Sequence, residues 1–255
     1  MTRFSDYADK YTGINFARSP SGVLEMAIHT RGGPAQWGTS LTSLHTELGE
    51  AFLDIARDTE NKVVIFTGTG DTFIAEFDRT ENFPEASLAE MWARIVVEGN
   101  ALLSNLLAIP VPVIGAVNGP ALIHAELPVV SDIVLAADTA EFADLAHFPN
   151  GVVPGDGVHT VWPMLLGPNR GRYFLLTGER IGAVEAKRLG VVGEVLAPAE
   201  LMPRARELAE GMAKFSPAAL RYTRALLVRE LRRRMFDELS SGLAHEALAT
   251  LVHQA

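Results

Sequence analysis

The chain contains no cysteine among its 255 residues. Disulfide bonds, a thiolate nucleophile and a zinc site built on cysteine sulfur are therefore excluded. The absence of cysteine fits a reducing compartment, and we expect a cytoplasmic protein.

Long apolar runs are also missing, and basic residues are in the minority. No uninterrupted apolar run approaches the roughly 20 residues that a membrane-spanning helix needs. Residues 1–11 lack the apolar segment of a secretion signal. The 22 lysines and arginines face 31 aspartates and glutamates, which gives a formal net charge of −9. This acidic balance argues against nucleic acid or a membrane surface as the main partner.

Hydrophobic residues make up 48% of the chain, which is enough for one substantial core. Short continuous apolar runs occupy residues 63–67, 113–117 and 133–137, as in parallel strands that are buried on both faces. Apolar residues recur at helical spacing from about Ser43 and again from about Leu88. This alternation of strands and helices predicts a mixed α/β core.

The two ends of the chain show simpler patterns. Residues 14–28 contain two strand-like segments around a Ser-Pro-Ser-Gly turn and predict a β-hairpin. From Leu201 onward the pattern is helical, and the Ser-Ser-Gly sequence at 240–242 weakens the prediction for the last helix. We therefore expect only helices in the C-terminal region.

The stretch from Asp144 to His159 concentrates titratable side chains on a predicted loop. His147 and Asp156 lie there among two prolines and three glycines, and loops on a rigid scaffold often carry chemistry. We hypothesise that His147 takes a proton from water at one ring nitrogen while Asp156 binds the other and fixes its tautomer. The alternative is a structural turn whose histidines only cap or pack.

Several segments, taken in order, resemble the crotonase superfamily of enoyl-CoA hydratases and isomerases. They are residues 62–68, Phe73, residues 109–119, 131–136 and 151–157, and the segment 176–195. The resemblance implies a ββα spiral over residues 1–198 and a helical trimerisation region over residues 199–255. It also implies a homotrimer or a homohexamer formed by two trimers.

The chain departs from that superfamily where most members hold a thioester oxygen with two backbone N–H groups. Glu76 stands in place of one expected glycine, and Ile123 and His124 stand in a glycine run that is one residue shorter. Because glycine permits close approach of a ligand to the backbone, we predict that this CoA-thioester site is lost. Glu126 matches one hydratase glutamate, whereas the second is missing near His147.

These departures are similar to the β-diketone hydrolases of the 6-oxocamphor hydrolase type, which cleave the C–C bond of a cyclic 1,3-diketone. The resemblance implies catalytic roles for His45, His124, His147, Asp156 and Glu246, and a substrate-binding role for Trp37. The apolar residues Phe77 and Phe83 indicate a pocket for an apolar carbocycle.

Each implied role has a structural alternative. His124 could donate an N–H to an enolate oxygen, or it could be a buried histidine with satisfied hydrogen bonds. His45 could donate to a carbonyl or orient a neighbour, or it could be a surface or capping histidine. Glu246 could protonate the enolate or polarise a histidine, or it could lie on a solvated helix face.

Clustered histidines and carboxylates also suit a metal ion, but no His-Glu-x-x-His spacing occurs. We therefore predict no metal and no cofactor. The leading interpretation is a hydrolase that cleaves a 1,3-diketone to a keto acid by a retro-Claisen route, with a small-molecule diketone as its partner. The alternatives are an acyl-CoA hydratase, isomerase or hydrolase, and a non-enzymatic scaffold or RNA-binding module.

Overall fold

The structure, a computed structural model, describes residues 2–81, 85 and 87–253. Phe83, one of the predicted substrate-binding residues, lies outside this part of the chain. The strands are β1 (Ile14–Arg18), β2 (Val23–Ile28), β3 (Gln36–Trp37), β4 (Val63–Gly68), β5 (Glu76–Phe77), β6 (Val113–Val117), β7 (Ile133–Ala137), β8 (Glu141–Phe142), β9 (Ile181–Gly182) and β10 (Glu194–Leu196). The helices are α1 (Leu44–Arg57), α2 (Leu88–Ala108), α3 (Glu126–Val129), α4 (Val158–Leu166), α5 (Pro168–Thr177), α6 (Ala183–Arg188), α7 (Pro198–Ala213), α8 (Pro217–Leu227) and α9 (Arg229–His253). Across the residues that the structure describes, no helix is both long and apolar enough to cross a membrane.

Six strands form one sheet in the order β1-β2-β4-β6-β7-β10. The pair β1–β2 is antiparallel, with Ile14 opposite Ile28, and confirms the predicted hairpin. The remaining neighbours are parallel. The three apolar runs at 63–67, 113–117 and 133–137 therefore lie side by side in one sheet, as predicted.

Both faces of the sheet are covered, which explains why its central strands are mostly apolar. In β4, Val64 and Phe66 belong to a large core shared with α1 and α2, whereas Val63 and Ile65 belong to a smaller core shared with α7. This division follows from the alternation of side chains along a strand. Helix α7 begins at the predicted domain boundary and packs on the sheet, and the boundary itself stays a prediction.

A buried ion pair fastens the C-terminal helices to the sheet. Arg224 of α8 donates from Nε to Asp132 Oδ2 at 2.7 Å, and the same oxygen accepts from Val113 N at 2.7 Å. The guanidinium also donates to the carbonyl oxygens of Leu107 and Ile109, where α2 ends. Losing one partner of such a pair typically costs about 3–5 kcal/mol. Arg224 therefore helps to fix the point from which α9 starts.

Helix α9 crosses the loop that precedes α4, and two glycines meet at the crossing. The helix continues without a break through residues 240–242. A Cβ atom on Gly242 would clash with the carbonyl oxygen of Gly155, and a Cβ atom on Gly155 would clash with that of Gly242. Leu239 and Leu243 anchor this part of the helix in the large core. The close approach brings the next helical turn over the loop.

Candidate active site

His147 stands where the loop before α4 folds back on itself. Its carbonyl oxygen accepts from Asn150 N at 2.7 Å and from Val152 N at 3.1 Å. The ring is buried, with Nδ1 2.6 Å from Asp144 Oδ1 and Nε2 3.2 Å from Asp156 Oδ2. His147 and Asp156 therefore do meet. The expectation that the second ring nitrogen faces water is wrong, because the carboxylate of Asp144 occupies it.

Asp156 lies between two histidines. Its Oδ2 is 2.9 Å from His124 Nδ1 and 3.2 Å from His147 Nε2. Its Oδ1 has no hydrogen-bond partner among the described residues. The side chain is 14% exposed, compared with 8% for His124 and 3% for His147. One carboxylate oxygen therefore joins both imidazoles, and the other is free to accept a hydrogen bond from a ligand.

His124 has a backbone conformation that non-glycine residues rarely adopt. Its φ is +52°, in the left-handed region. This strained backbone places the ring between three groups. The ring stacks on Trp37 with centroids 3.9 Å apart and planes inclined by 33°. Its Nδ1 lies 2.9 Å from Glu126 Oε1 as well as near Asp156. Strain of this kind costs about 1–3 kcal/mol and clusters at functional sites.

Backbone N–H groups beside His124 are already used within the chain. Leu122 N and Ile123 N both donate to Ile74 O, at 2.8 and 3.2 Å. Asp78 N donates to Trp37 O at 2.7 Å, next to the parallel pairing of β3 with β5. None of these three donors is left for a thioester oxygen. The arrangement agrees with the predicted loss of the thioester site.

His45 is oriented by helix α2. Its Nδ1 lies 3.1 Å from Glu98 Oε2, and Arg94 donates to the same oxygen at 2.8 Å. Arg94 also donates to Thr39 O at 2.8 Å, which ties the loop before α1 to α2. The His45 ring is 5% exposed and meets Trp37 edge to face at 5.7 Å. His45 is therefore a buried, held histidine rather than a surface or capping residue, and Trp37 links it to the rest of the cluster.

Glu246 reaches the cluster from α9 and is only 6% exposed. Its Oε2 is buried and has no hydrogen-bond partner in the part of the chain that the structure describes. Burial and repulsion from Asp156 together raise the pKa of Glu246 to about 8. The carboxyl group is therefore mostly protonated at neutral pH and can donate a proton. The alternative reading of Glu246 as a solvated helix residue is wrong.

The carboxylates of the cluster control the protonation of its histidines. Burial alone would lower the pKa of His124, but Glu126 and Asp156 outweigh it and raise the pKa to about 10. Burial is likewise outweighed at His147, whose pKa Asp156 and Asp144 raise well above its usual value. Burial would raise the pKa of Asp156, but the two histidines hold it well below its usual range. The carboxylates therefore favour the imidazolium forms of both histidines, and the histidines favour the ionised form of Asp156.

The same atoms could hold a metal ion. One nitrogen each of His124 and His147 and one oxygen of Asp156 lie within 4.8 Å of one another. Two imidazoles and a carboxylate are a donor set that transition metals accept. Each imidazole also lies within hydrogen-bond distance of a second carboxylate, Glu126 or Asp144, so the set is complete as a hydrogen-bonded network too. The absence of a metal and of a cofactor stays a prediction.

The predicted substrate-binding residues are spread around the cluster. Trp37 is 2% exposed and lies between the rings of His45 and His124. Phe77 is 40% exposed and pairs with Trp37 across β3 and β5. A cavity of about 520 Å³ is lined in part by Gly38 and Leu44, the chain neighbours of Trp37 and His45. Phe77 therefore adjoins Trp37 through the backbone, without being buried in the cluster.

Two residues of the site carried no role in the sequence analysis, namely Asp144 and Glu98. The Asp144–His147 contact has a spacing of three residues, a short-range signal that was visible at the head of the predicted loop. Glu98 lies 53 residues from His45 along the chain. Only the packing of α1 against α2 brings that pair together, so no local pattern indicates it.

Comparison with known proteins defines the family. Residues 20–247 match the family model described as enoyl-CoA hydratase/isomerase. The chain therefore belongs to the enoyl-CoA hydratase/isomerase family, within the crotonase superfamily. The carnitinyl-CoA dehydratase of Escherichia coli K12 is 36% identical to it over 175 residues, which span 68% of this chain and 66% of that protein.

Two solved structures illustrate how the chain relates to the branches of this family. A β-diketone hydrolase from the cyanobacterium Anabaena sp. PCC 7120, bound to (S)-3-oxocyclohexyl acetic acid, is 42% identical and superimposes with a TM-score of 0.92 over 98% of both chains. An enoyl-CoA hydratase/isomerase from Mycobacterium paratuberculosis is 26% identical, with a TM-score of 0.78 over 94% of both chains. The fold is common to both, whereas the higher identity lies with the hydrolase.

Proposed function

We propose that the chain is a hydrolase that cleaves a C–C bond between the two carbonyl groups of a cyclic 1,3-diketone, without a cofactor. The observation that carries this proposal is the buried cluster in which Asp156 joins His124 to His147 and Glu246 supplies a carboxyl group. The 42% identity to a β-diketone hydrolase supports it. The product of such a cleavage is a keto acid.

The first step is the activation of water by His147 and Asp156. The neutral form of His147 accepts a proton from water at Nε2, and the nearby Asp156 stabilises the imidazolium that forms. The water oxygen bonds to one carbonyl carbon of the diketone. The carboxylates raise the pKa of His147, which lowers the fraction of neutral base at a given pH. The neutral base therefore becomes more abundant as the pH rises toward that pKa.

The second step breaks the C–C bond and is assisted by the charge of His124. The electron pair of the breaking bond passes to the second carbonyl, which becomes an enolate. A charged imidazole with a pKa of about 10 can stabilise that oxygen where a backbone N–H does so in thioester chemistry. Stacking on Trp37 holds the His124 ring in place.

The third step protonates the enolate carbon. Glu246 is mostly protonated at neutral pH, and its Oε2 is not bound to a protein group that the structure describes. It gives its proton to carbon, while the proton taken from water remains on His147. Transfer of that proton from His147 to Glu246 restores both groups, so the net reaction is the addition of one water molecule.

A hydratase, isomerase or hydrolase of acyl-CoA thioesters is the second candidate. Family membership and the 36% identity to a carnitinyl-CoA dehydratase favour it. Glu126 also stands where a hydratase glutamate is expected, but its Oε1 is bound to His124, and the backbone donors near it are occupied. These contacts favour the diketone reaction.

The proposal is tested by incubating the protein with a cyclic 1,3-diketone in 18O-labelled water. We expect a keto acid with one labelled carboxylate oxygen, formed equally well in the presence of a chelator. His147→Ala should lower kcat by about two to four powers of ten, as for the loss of a general base. His245→Ala, an exposed histidine on α9, is the matched control and should retain full activity.

Crotonyl-CoA provides the opposing measurement. Because the backbone N–H groups of Leu122, Ile123 and Asp78 are occupied, we expect neither tight binding of crotonyl-CoA, measured by isothermal calorimetry, nor its efficient hydration, followed by absorbance. Efficient hydration of crotonyl-CoA, combined with no turnover of any 1,3-diketone, would contradict the proposal and establish the second candidate.

A further inference from the structure

Asp144 contacts a single ring nitrogen, Nδ1 of His147. Its Oδ1 lies 2.6 Å from His147 Nδ1, and the two residues are 1% and 2% exposed. Its Oδ2 is buried without a hydrogen-bond partner in the part of the chain that the structure describes. Because an unsatisfied buried carboxylate oxygen is costly, the strong contact with His147 is the main compensation for burying this side chain.

Asp156 faces the other nitrogen and differs in its surroundings. It lies 3.2 Å from His147 Nε2, is shared with His124, and keeps 14% of its side chain exposed. The two carboxylates on His147 are therefore not equivalent. The Asp144 contact is shorter, involves His147 alone and is fully buried. The Asp156 contact is longer, is shared with His124 and lies on the more exposed side of the ring.

We propose that Asp144 is the positioning residue of this site. It holds a proton on Nδ1 of His147, so that Nε2 is the nitrogen that exchanges protons with water on the side of Asp156. In this assignment Asp144 fixes the tautomer, and Asp156 acts beside the water and substrate. The inference rests on the proposed hydrolase function, whose base was assigned above to His147 and Asp156.

Backbone hydrogen bonds hold the loop on both sides of the Asp144–His147 contact. The backbone at Ala143 donates to Ala121 O at 3.1 Å, and Leu145 N donates to Leu122 O at 2.9 Å, on either side of the aspartate. The bonds from Asn150 N and Val152 N to the His147 carbonyl close the turn that follows. Because these backbone bonds already hold the loop, the Asp144 carboxylate is placed to orient the imidazole.

Five groups act on the His147 ring, and they come from three parts of the chain. They are Asp144 on the same loop, Asp156 before α4, His124 and Glu126 at the start of α3, and Glu246 on α9. A comparison of two variants that differ only at position 144 keeps the other four groups constant. Any change in the titration of His147 can then be assigned to Asp144.

The test uses 15N-labelled histidine and nuclear magnetic resonance of the ligand-free protein, which requires no substrate. In the wild type, neutral His147 should carry its proton on Nδ1. In Asp144→Asn the titration midpoint of His147 should fall and the Nε2-protonated form should appear, because an amide can donate to Nδ1. Asp138→Asn, an exposed aspartate on the same segment, should leave both signals unchanged.

Kinetics provide the second readout. Asp144→Asn should lower kcat by about two to four powers of ten with little change in KM, as for a wrong tautomer. Its pH profile for kcat/KM should shift toward acid, whereas Asp144→Glu should restore part of the rate. A purely structural role would change the melting temperature and leave the profile in place.

Two outcomes overturn the inference. One is a wild-type His147 that carries its neutral proton on Nε2, a result that does not depend on whether a variant folds. The other is an Asp144→Asn protein with unchanged His147 signals. If the signals change as expected but no diketone is hydrolysed, the positioning role stands and the proposed function fails, so the two claims are separable.

Discussion

Glu246 combines two properties that a donor of protons to carbon requires. It is buried beside Asp156, which keeps it mostly protonated at neutral pH, and its Oε2 is not bound to any described group of the protein. A solvated glutamate would be ionised at the same pH, since its usual pKa is about 4.3. The position of the residue on a rigid helix then determines where the proton is delivered.

The pH dependence of kcat/KM should therefore show the loss of the Glu246 proton. The acid is competent below its pKa of about 8 and loses its proton above it. Because neutral His147 is still becoming more abundant over the same range, the two effects oppose each other, and we expect kcat/KM to stop rising near pH 8, where this alkaline limb begins. In Glu246→Gln the rate should be lower by about two to four powers of ten at neutral pH, and the alkaline limb near pH 8 should disappear.

Glu238→Gln is the control for that experiment, because Glu238 is an exposed carboxylate on the same helix. It should keep both the rate and the alkaline limb. Persistence of the limb in Glu246→Gln would assign it to another group of the coupled cluster and would remove the proposed proton donor.

At the level of elements, the crossing of α9 over the loop before α4 sets the position of Glu246. The backbones of Gly155 and Gly242 meet there, and Glu246 follows one turn later on the same helix. A side chain at either glycine must push the helix away from the loop. The distance between Glu246 and Asp156 thus depends on a backbone-to-backbone contact between two glycines.

We expect Gly242→Ala to lower both stability and kcat. Alanine in a helix is normally favoured over glycine by about 0.5–1 kcal/mol, but here its Cβ would clash with the Gly155 backbone. Overpacking of this kind typically costs about 1–3 kcal/mol.

Gly211→Ala is the control, since a Cβ there meets no atom within 4 Å and the position is exposed in α7. Urea denaturation and steady-state kinetics of both variants measure the effect, and a Gly242→Ala protein as stable and active as Gly211→Ala would contradict it.

The elements themselves could be predicted because burial imposes a spacing on the sequence. Helix α1 begins at Leu44, next to its predicted start, since one buried face repeats every three to four residues. Strand β4 is apolar from Val63 to Phe66 because both of its faces are covered. The two-residue strands β3 and β5 have no such pattern, and their pairing arises only from tertiary contacts.

The site was predictable to the extent that a residue type alone indicates chemistry. The contact of His147 with Asp156 followed from their place on one loop, and the resemblance to a family supplied His124 and Glu246. The role of Asp144 was not predicted, because a loop rich in glycine and proline has no fixed direction for its side chains. The geometry of the loop, rather than its composition, shows that Asp144 occupies the nitrogen expected to face water.

On the scale of the whole molecule, helices α8 and α9 expose several large apolar side chains. Tyr222, Leu226 and Leu227 on α8 are each more than 70% exposed, and Phe236 on α9 is 88% exposed. Scattered apolar side chains are normal on a monomer, but neighbouring large ones mark an interaction surface. The same helices carry Arg224 and Glu246, whose side chains are buried in the protein.

We predict that this surface is buried in a homotrimer or a homohexamer, as the resemblance implies. Light scattering at micromolar concentration should give a mass near three or six times 27.5 kDa. Leu226→Glu should shift the mass toward a monomer, because it places a charge in an apolar contact.

Lys187→Glu, at an exposed polar position of α6, changes the charge without removing an apolar side chain and should leave the assembly intact. If assembly supports the position of α9, the Leu226→Glu monomer should also lose kcat while Lys187→Glu does not. A wild-type protein that elutes as a monomer across that concentration range would show that the apolar surface serves another purpose.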